Sequence, residues 1–280
     1  MEYTRNALTA LALTAGLAAI PASATLVAYD GFDGYSIGSL DGQATPKTGF
    51  SSFGWFVNGG GGEDPEAVAT GLAFPGLLTS DGGAFIPGDR GGRKLTTTYD
   101  NSSTGTVWIS WLYQQANTTD TTYRALELHN GLTEGGPLFD SNRVFHVGHS
   151  GGDFGSDTEF GFRVNNDNGL QASTGVSVNT DVNLFIVKIE LSDVSNSDSV
   201  TVWVNPTDFS SEGALGSGTS VSGFDLQFDQ VTLADFGGSE LSIDEIRIAT
   251  TLASAVPVPE PASLALLALG SMFVMRRRRD

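Results

Sequence analysis

Between its two ends, this chain has no stretch where apolar residues recur at helical spacing over three turns. Short runs rich in Val, Ile, Phe, Trp and Tyr come instead, broken by clusters of Gly, Asn, Asp, Ser and Thr. Many short strand-like runs with turn signals between them predict a sandwich or barrel and exclude a helical bundle. The expected strands run from Leu26–Tyr29 and Phe53–Val57 through Thr106–Gln115, Tyr123–His129, Asn183–Leu191 and Ser199–Val204. Phe224–Phe228, Val231–Leu233 and Leu241–Ile248 close the series. There is no cysteine and hence no disulfide. Some 230 residues can nevertheless bury an adequate core without staples.

Strand alternation assigns faces. In Thr106–Gln115, Val107, Ile109, Trp111 and Tyr113 form a core row, with Trp108, Ser110, Leu112 and Gln114 opposite. In Asn183–Leu191 the core row is Phe185, Val187, Ile189 and Leu191. Val200, Val202 and Val204 form another, which puts Trp203 on the reverse face with Trp108. Ile243 and Ile246 cannot share a face under strict alternation, so a bulge at Asp244-Glu245 is expected.

The ends follow different rules. Arg5, an uncharged run from Ala7 to Ile20, and small residues at Ala22 and Ala24 predict a secretory signal over 1–24. Signal peptidase would cut it after Ala24. At the other end a proline-stiffened PVPEP stretch precedes the uncharged segment 262–275, followed by Arg276, Arg277, Arg278 and Arg279. An apolar segment followed by arginines predicts a membrane helix with its basic side in the cytoplasm. Fourteen helical residues reach about 21 Å against a hydrocarbon core of about 30 Å, which suits transient anchoring. An ordinary tail anchor in a locally thinned bilayer is the alternative.

The chain's 14 basic and 32 acidic residues lose five and three to these ends. Nine and twenty-nine remain in the middle, a net charge of −20. Such a domain repels nucleic acid and anionic lipid, so neither is expected as a partner.

Pro259-Glu260-Pro261, the apolar segment and the arginine block together resemble the PEP-CTERM sorting signal of Gram-negative bacteria. The resemblance implies an exosortase as processing partner and a link to exopolysaccharide or biofilm matrix. In the middle, Asn183–Pro206 (NLFIVKIELSDVSNSDSVTVWVNP), Leu241–Thr251 (LSIDEIRIATT) and Tyr29–Gln43 (YDGFDGYSIGSLDGQ) resemble laminin-G-like, concanavalin-A-like domains of exported bacterial proteins. That resemblance implies an all-β, antiparallel two-sheet jelly-roll sandwich over 25–254, with the sorting tail over 255–280. Its members include sugar binders, glycan-cleaving enzymes and adhesive modules.

Few residues suggest chemistry. Glycan hydrolysis usually takes two carboxylates flanking the bond. The nearest pairs are Asp157 with Glu159 and the adjacent Asp244 with Glu245; solvated acids at strand ends are the alternative. His146 and His149 face opposite ways on an extended strand, which argues against zinc. No serine sits in a Gly-x-Ser-x-Gly elbow. Asp153, Asp157 and Glu159 lie in a glycine-rich segment and supply hard oxygens suited to calcium, or they form an ordinary acidic loop. Trp108 and Trp203 form a candidate platform for sugar rings, unless a further layer buries them. The expectation is an exported, non-catalytic carbohydrate-binding or adhesive protein of the envelope, outer surface or extracellular matrix. A secreted glycan hydrolase or lyase, or a purely structural matrix component, are the alternatives.

Overall fold

A computed structural model describes residues 25–258, apart from 58–61, 120, 132, 139, 151 and 239. The signal segment with Ala22 and Ala24, the 262–275 segment, and Pro259, Glu260, Pro261 and Arg276–Arg279 lie outside the described residues. Among those described, no helix is long and apolar enough to cross a membrane.

The described chain forms sixteen strands. The first eight are β1 (Leu26–Asp30), β2 (Gly38–Ser39), β3 (Phe56–Val57), β4 (Glu66–Val68), β5 (Gly83–Ile86), β6 (Arg90–Tyr99), β7 (Gly105–Gln115) and β8 (Tyr123–His129). The rest are β9 (Arg143–His149), β10 (Glu159–Val164), β11 (Gln171–Ser177), β12 (Asn183–Leu191), β13 (Asp198–Val204), β14 (Thr219–Phe224), β15 (Phe228–Phe236) and β16 (Leu241–Ala249). A four-residue helix, α1 (Leu252–Ala255), follows.

Two antiparallel sheets stack face to face. One has nine strands in the order β14-β13-β12-β7-β16-β5-β4-β2, with β1 also paired to β16. The other has seven, β11-β10-β9-β8-β15-β6-β3. This is the expected two-sheet sandwich. Its core is built from the rows that alternation assigns: Val107, Ile109, Trp111 and Tyr113 of β7 meet Phe185, Val187 and Ile189 of β12. Across from them lie Leu126, Leu128, Phe145, Val147, Phe160 and Phe162 of the smaller sheet. Trp111 stacks on Phe185 with ring centroids 5.1 Å apart.

The expected bulge is present. The β16–β7 register shifts between Asp244 and Arg247, and Glu245 takes φ 56°. Ile243 and Ile246 consequently both enter the core. The bulge falls where β16 changes neighbour, from β5 at Leu241–Ile243 to β1 at Ile246–Ala249.

One buried ion pair ties the sheets together. Asp30 of β1 accepts from Arg93 of β6 at 3.0 Å, from Tyr35 Oη at 2.6 Å and from Trp55 Nε1 at 3.1 Å. Asp30 and Arg93 are fully buried. Removing one partner of such a pair typically costs about 3–5 kcal/mol, because it strands the other charge.

Sequence and structure part company at the polar edges. Phe224–Phe228 connects two strands instead of forming one, and Phe53–Val57 shortens to β3. β14 (TSVSGF) and the first half of β11 (QASTGVS) carry no continuous apolar row. Each is an edge strand, and its polar residues are half-buried or exposed.

A third layer covers the outer face of the nine-stranded sheet. Leu72, Phe74, Leu77, Phe209 and Leu215 pack there with Leu252, Ala255 and Val256. Ser110 Oγ donates to the Ala255 carbonyl at 2.5 Å, and Leu78 N–H donates to the Pro257 carbonyl at 3.0 Å. The packed body thus continues beyond residue 254 to Pro257.

Candidate functional site

Trp108 and Trp203 do share the outer face of the nine-stranded sheet, stacked with centroids 5.9 Å apart. They are not an open platform, however. Trp108 is 4% and Trp203 7% exposed, because the third layer lies over them. Trp203 Nε1 donates to the Gly216 carbonyl at 3.0 Å. Gly218 lies so close that a Cβ there would meet the ring at 2.6 Å. Alternation gave the correct face, but the cover comes from distant loops that a local pattern does not reveal.

The calcium trio is likewise not assembled. Asp153 pairs with Arg163 at 3.5 Å and accepts from Ser150 Oγ at 3.1 Å. Glu159 is taken by the Ser173 hydroxyl. The exposed Asp157 contributes its main-chain carbonyl to His149 Nε2 at 3.2 Å. Among the described residues, no three His, Cys, Asp or Glu side chains gather as a metal site. His146 and His149 do point apart, His146 to Tyr123 and His149 to Arg124.

Asp244 and Glu245 are both buried in the bulge. Asp244 accepts from Leu72 N–H at 2.8 Å and Glu245 N–H at 2.6 Å. Glu245 accepts from Ser80 N–H at 2.5 Å, Tyr29 Oη at 3.2 Å and Arg247 at 2.6 Å. Burial, with the Glu245 charge beside it, pushes the Asp244 carboxyl up to about 8. The pair anchors the two ends of the 72–80 segment of the third layer and does not face a cleft.

The outer face of the seven-stranded sheet differs from its counterpart. Cross-strand register sets polar side chains in rows. Lys94, Gln230, His129 and Arg143 form one, and Gly92, Thr232, Glu127, His146 and Arg163 the next. Glu127, fully buried, is their hub. Its Oε1 accepts from Arg90 and Arg143, each at 3.1 Å, and from Tyr123 Oη at 2.6 Å. Its Oε2 accepts from His129 Nε2 at 2.8 Å. Burial alone would raise the Glu127 carboxyl, but Arg90, His129 and Arg143 outweigh it and hold it well below the usual carboxylate range. Burial, with Arg143 nearby, holds the His146 imidazole well below its ordinary value. Because Tyr123 gives its proton to Glu127, neutral His146 donates from Nδ1 at 2.8 Å. That leaves His146 Nε2 buried with no partner, as are His129 Nδ1, Arg90 Nε and Gln230 Oε1.

Most of this face is covered: Gln230, His129, Thr232, Glu127 and His146 are fully buried, and Lys94, Arg143 and Arg163 are half-buried. Phe154 packs on Tyr123, Ala125 and Ala234, and Leu138 packs on Phe56. Beside Lys94 it opens into a cavity of about 680 Å³ lined by Phe53, Lys94, Leu95, Gly131, Thr133 and Glu134. Phe53 is 46% exposed there. An aromatic ring beside hydrogen-bonding side chains can receive the apolar face and hydroxyls of a sugar. The sequence pattern alone does not single out this face. Its one local signal was Glu127-x-His129, which places an acid and an imidazole on the same side of a strand.

Residues 257–279 match the PEP-CTERM protein-sorting motif. No curated protein matches the chain. Among solved structures, the sandwich is similar to peanut lectin at 10% identity and TM-score 0.39, over 66% of this chain and 97% of that one. It is similar to a carbohydrate esterase of Shiga toxin-encoding bacteriophage phi24B at 12% identity and TM-score 0.44, over 71% and 90%. It is also similar to a family 16 glycosyl hydrolase of Mycobacterium smegmatis at 11% identity and TM-score 0.41, over 80% and 100%. At these TM-scores no property of those proteins carries over to this chain. The sorting motif is different in kind: it marks the protein for export.

Proposed function

We propose that the mature domain is a non-catalytic carbohydrate-binding or adhesive module, sorted by an exosortase to the cell envelope or outer surface. There it holds polysaccharide of the surrounding matrix. The supporting observation is the contrast between the two outer faces. One is sealed by an apolar layer, whereas the other, whose polar rows are largely buried, opens beside Lys94 into a shallow hollow edged by the exposed Phe53. Glu127, the only carboxylate among the outward-facing side chains of those rows, supports binding over catalysis. A general acid needs a raised pKa, and Glu127 is held low, buried and bonded by four side chains.

The test is a glycan array followed by titration of the mature protein, its Phe53→Ala variant and its Lys94→Ala variant. Each substitution should weaken binding roughly ten-fold or more, the scale of a lost ring contact or charged hydrogen bond. Thermal stability should change little. Binding unaffected by either change would place the ligand elsewhere, and no binding to any glycan would leave a structural matrix role.

A further inference from the structure

We infer that the polysaccharide taken by this face is acidic, and that a uronate carboxylate sits where Asp140 now bridges Arg90 and Arg143. The inference rests on the sheet-face reading above and adds the ligand's chemical class. Four of the nine cationic residues between the chain's ends, Arg90, Lys94, Arg143 and Arg163, stand on this one face. Arg90 and Arg143 converge on Glu127, whose side chain is fully buried. Two guanidiniums around one buried carboxylate leave one positive charge unmatched.

Asp140 supplies the second anion. Its carboxylate pairs closely with Arg90 and lies 3.6 Å from Arg143. Unlike Glu127, it is 67% exposed, so the clamp opens to solvent on the Asp140 side. Asp140 begins a single 3₁₀ turn, Asp140–Asn142, whose main chain is held by Asn166 and not through the Asp140 carboxylate. Asn166 Nδ2 donates to the Asp140 carbonyl at 2.8 Å, and Asn166 Oδ1 accepts from Arg143 Nε at 3.0 Å. The Asp140 side chain can therefore turn outward while its backbone stays in place. Planar guanidiniums favour carboxylates through paired, charge-assisted hydrogen bonds. Arg90 is 3% exposed and has an unpartnered Nε, so it is already desolvated toward this clamp. Asp140 thus acts as an internal stand-in for the ligand, and it competes with it.

The competition gives an unusual sign: removing an acidic residue at the site should strengthen binding of an acidic sugar and leave a neutral one alone. The mature protein and its Asp140→Asn variant are titrated calorimetrically with an oligogalacturonate and with a cello-oligosaccharide of equal length. Asp140→Asn should tighten oligogalacturonate binding about three- to ten-fold, corresponding to loss of one partly exposed ion pair. Cello-oligosaccharide affinity should not change. Arg143→Lys keeps the charge but loses the fork, and should weaken oligogalacturonate binding; a thermal melt of each variant establishes that it is folded. Unchanged or weaker oligogalacturonate binding by folded Asp140→Asn would overturn the acidic assignment. If the cello-oligosaccharide alone bound, and Phe53→Ala abolished it, the sheet-face reading would stand without the uronate. If neither sugar bound any variant, both would fall.

Discussion

Asp244 shows how a single buried acid can set the pH response of the whole domain. Its carboxyl is pushed up to about 8 in the fold, against about 3.9 in an unfolded chain. Between those values the folded state holds a proton that the unfolded state has lost. Folding therefore loses stability as pH rises through that window, by up to about 1.4 kcal/mol per pH unit. The penalty is absent below about pH 4 and complete once pH passes about 8. Below about pH 6.5 the neutral-held His146 contributes the opposite slope; denaturant melts from about pH 6.5 to 9 should therefore show this decline, and Asp244→Asn should flatten it. A slope unchanged by the substitution would assign the effect to other groups. The clamp at Glu127 is built the opposite way: its carboxyl is held low, so it stays charged throughout this range.

At the scale of elements, the legible parts were those with a continuous alternating row. β7, β8, β12 and β16 emerged at or within a residue of their observed bounds, because each faces the core over its whole length. The bulge in β16 was legible too, since two isoleucines out of phase demand one. β2, β4 and β14 were not legible, being short or polar and shaped by neighbours distant in sequence. The proposed binding face was hidden for a related reason. Arg90, Glu127 and Arg143 come from three strands and meet only through register, and Asp140 joins them from a loop. The third layer was foreseeable only as an alternative, because the 72–78, 209–215 and α1 segments show no regular period. That layer changes what Trp203 is for. Trp203→Ala should cost about 3–5 kcal/mol, as for a large aromatic removed from a packed interior. It should not affect glycan binding directly. Equilibrium denaturation and a glycan titration on one sample would check both; a nearly unchanged midpoint would mean that the layer is not closed over the ring in solution.

At the scale of the whole molecule, the two ends of the sandwich lie side by side. β1 pairs with β16 from Leu26 opposite Ala249, and Thr250 N–H donates to the Thr25 carbonyl at 3.0 Å. The expected signal cleavage point therefore lies beside Thr250, a few residues before the sorting motif begins at residue 257. Intact-mass measurement of protein from its native host should find a species beginning at Thr25 and lacking the four terminal arginines. Retention of those arginines would exclude removal of the tail.

The pairing of first strand with last also imposes an order on the protein's biogenesis. A chain exported from its N-terminus delivers β1 first, yet among the described residues β1 pairs only with β16, the last of the described strands to cross. β16 also completes the flank of β7 and the pairing of β5, so the larger sheet lacks its centre until that strand arrives. Only a few residues then separate Ala249 from the sorting motif. Translocation must therefore be nearly finished before the larger sheet can close. A version ending before Leu241 should accordingly remain protease-sensitive along its whole length, with no stable half-domain surviving digestion.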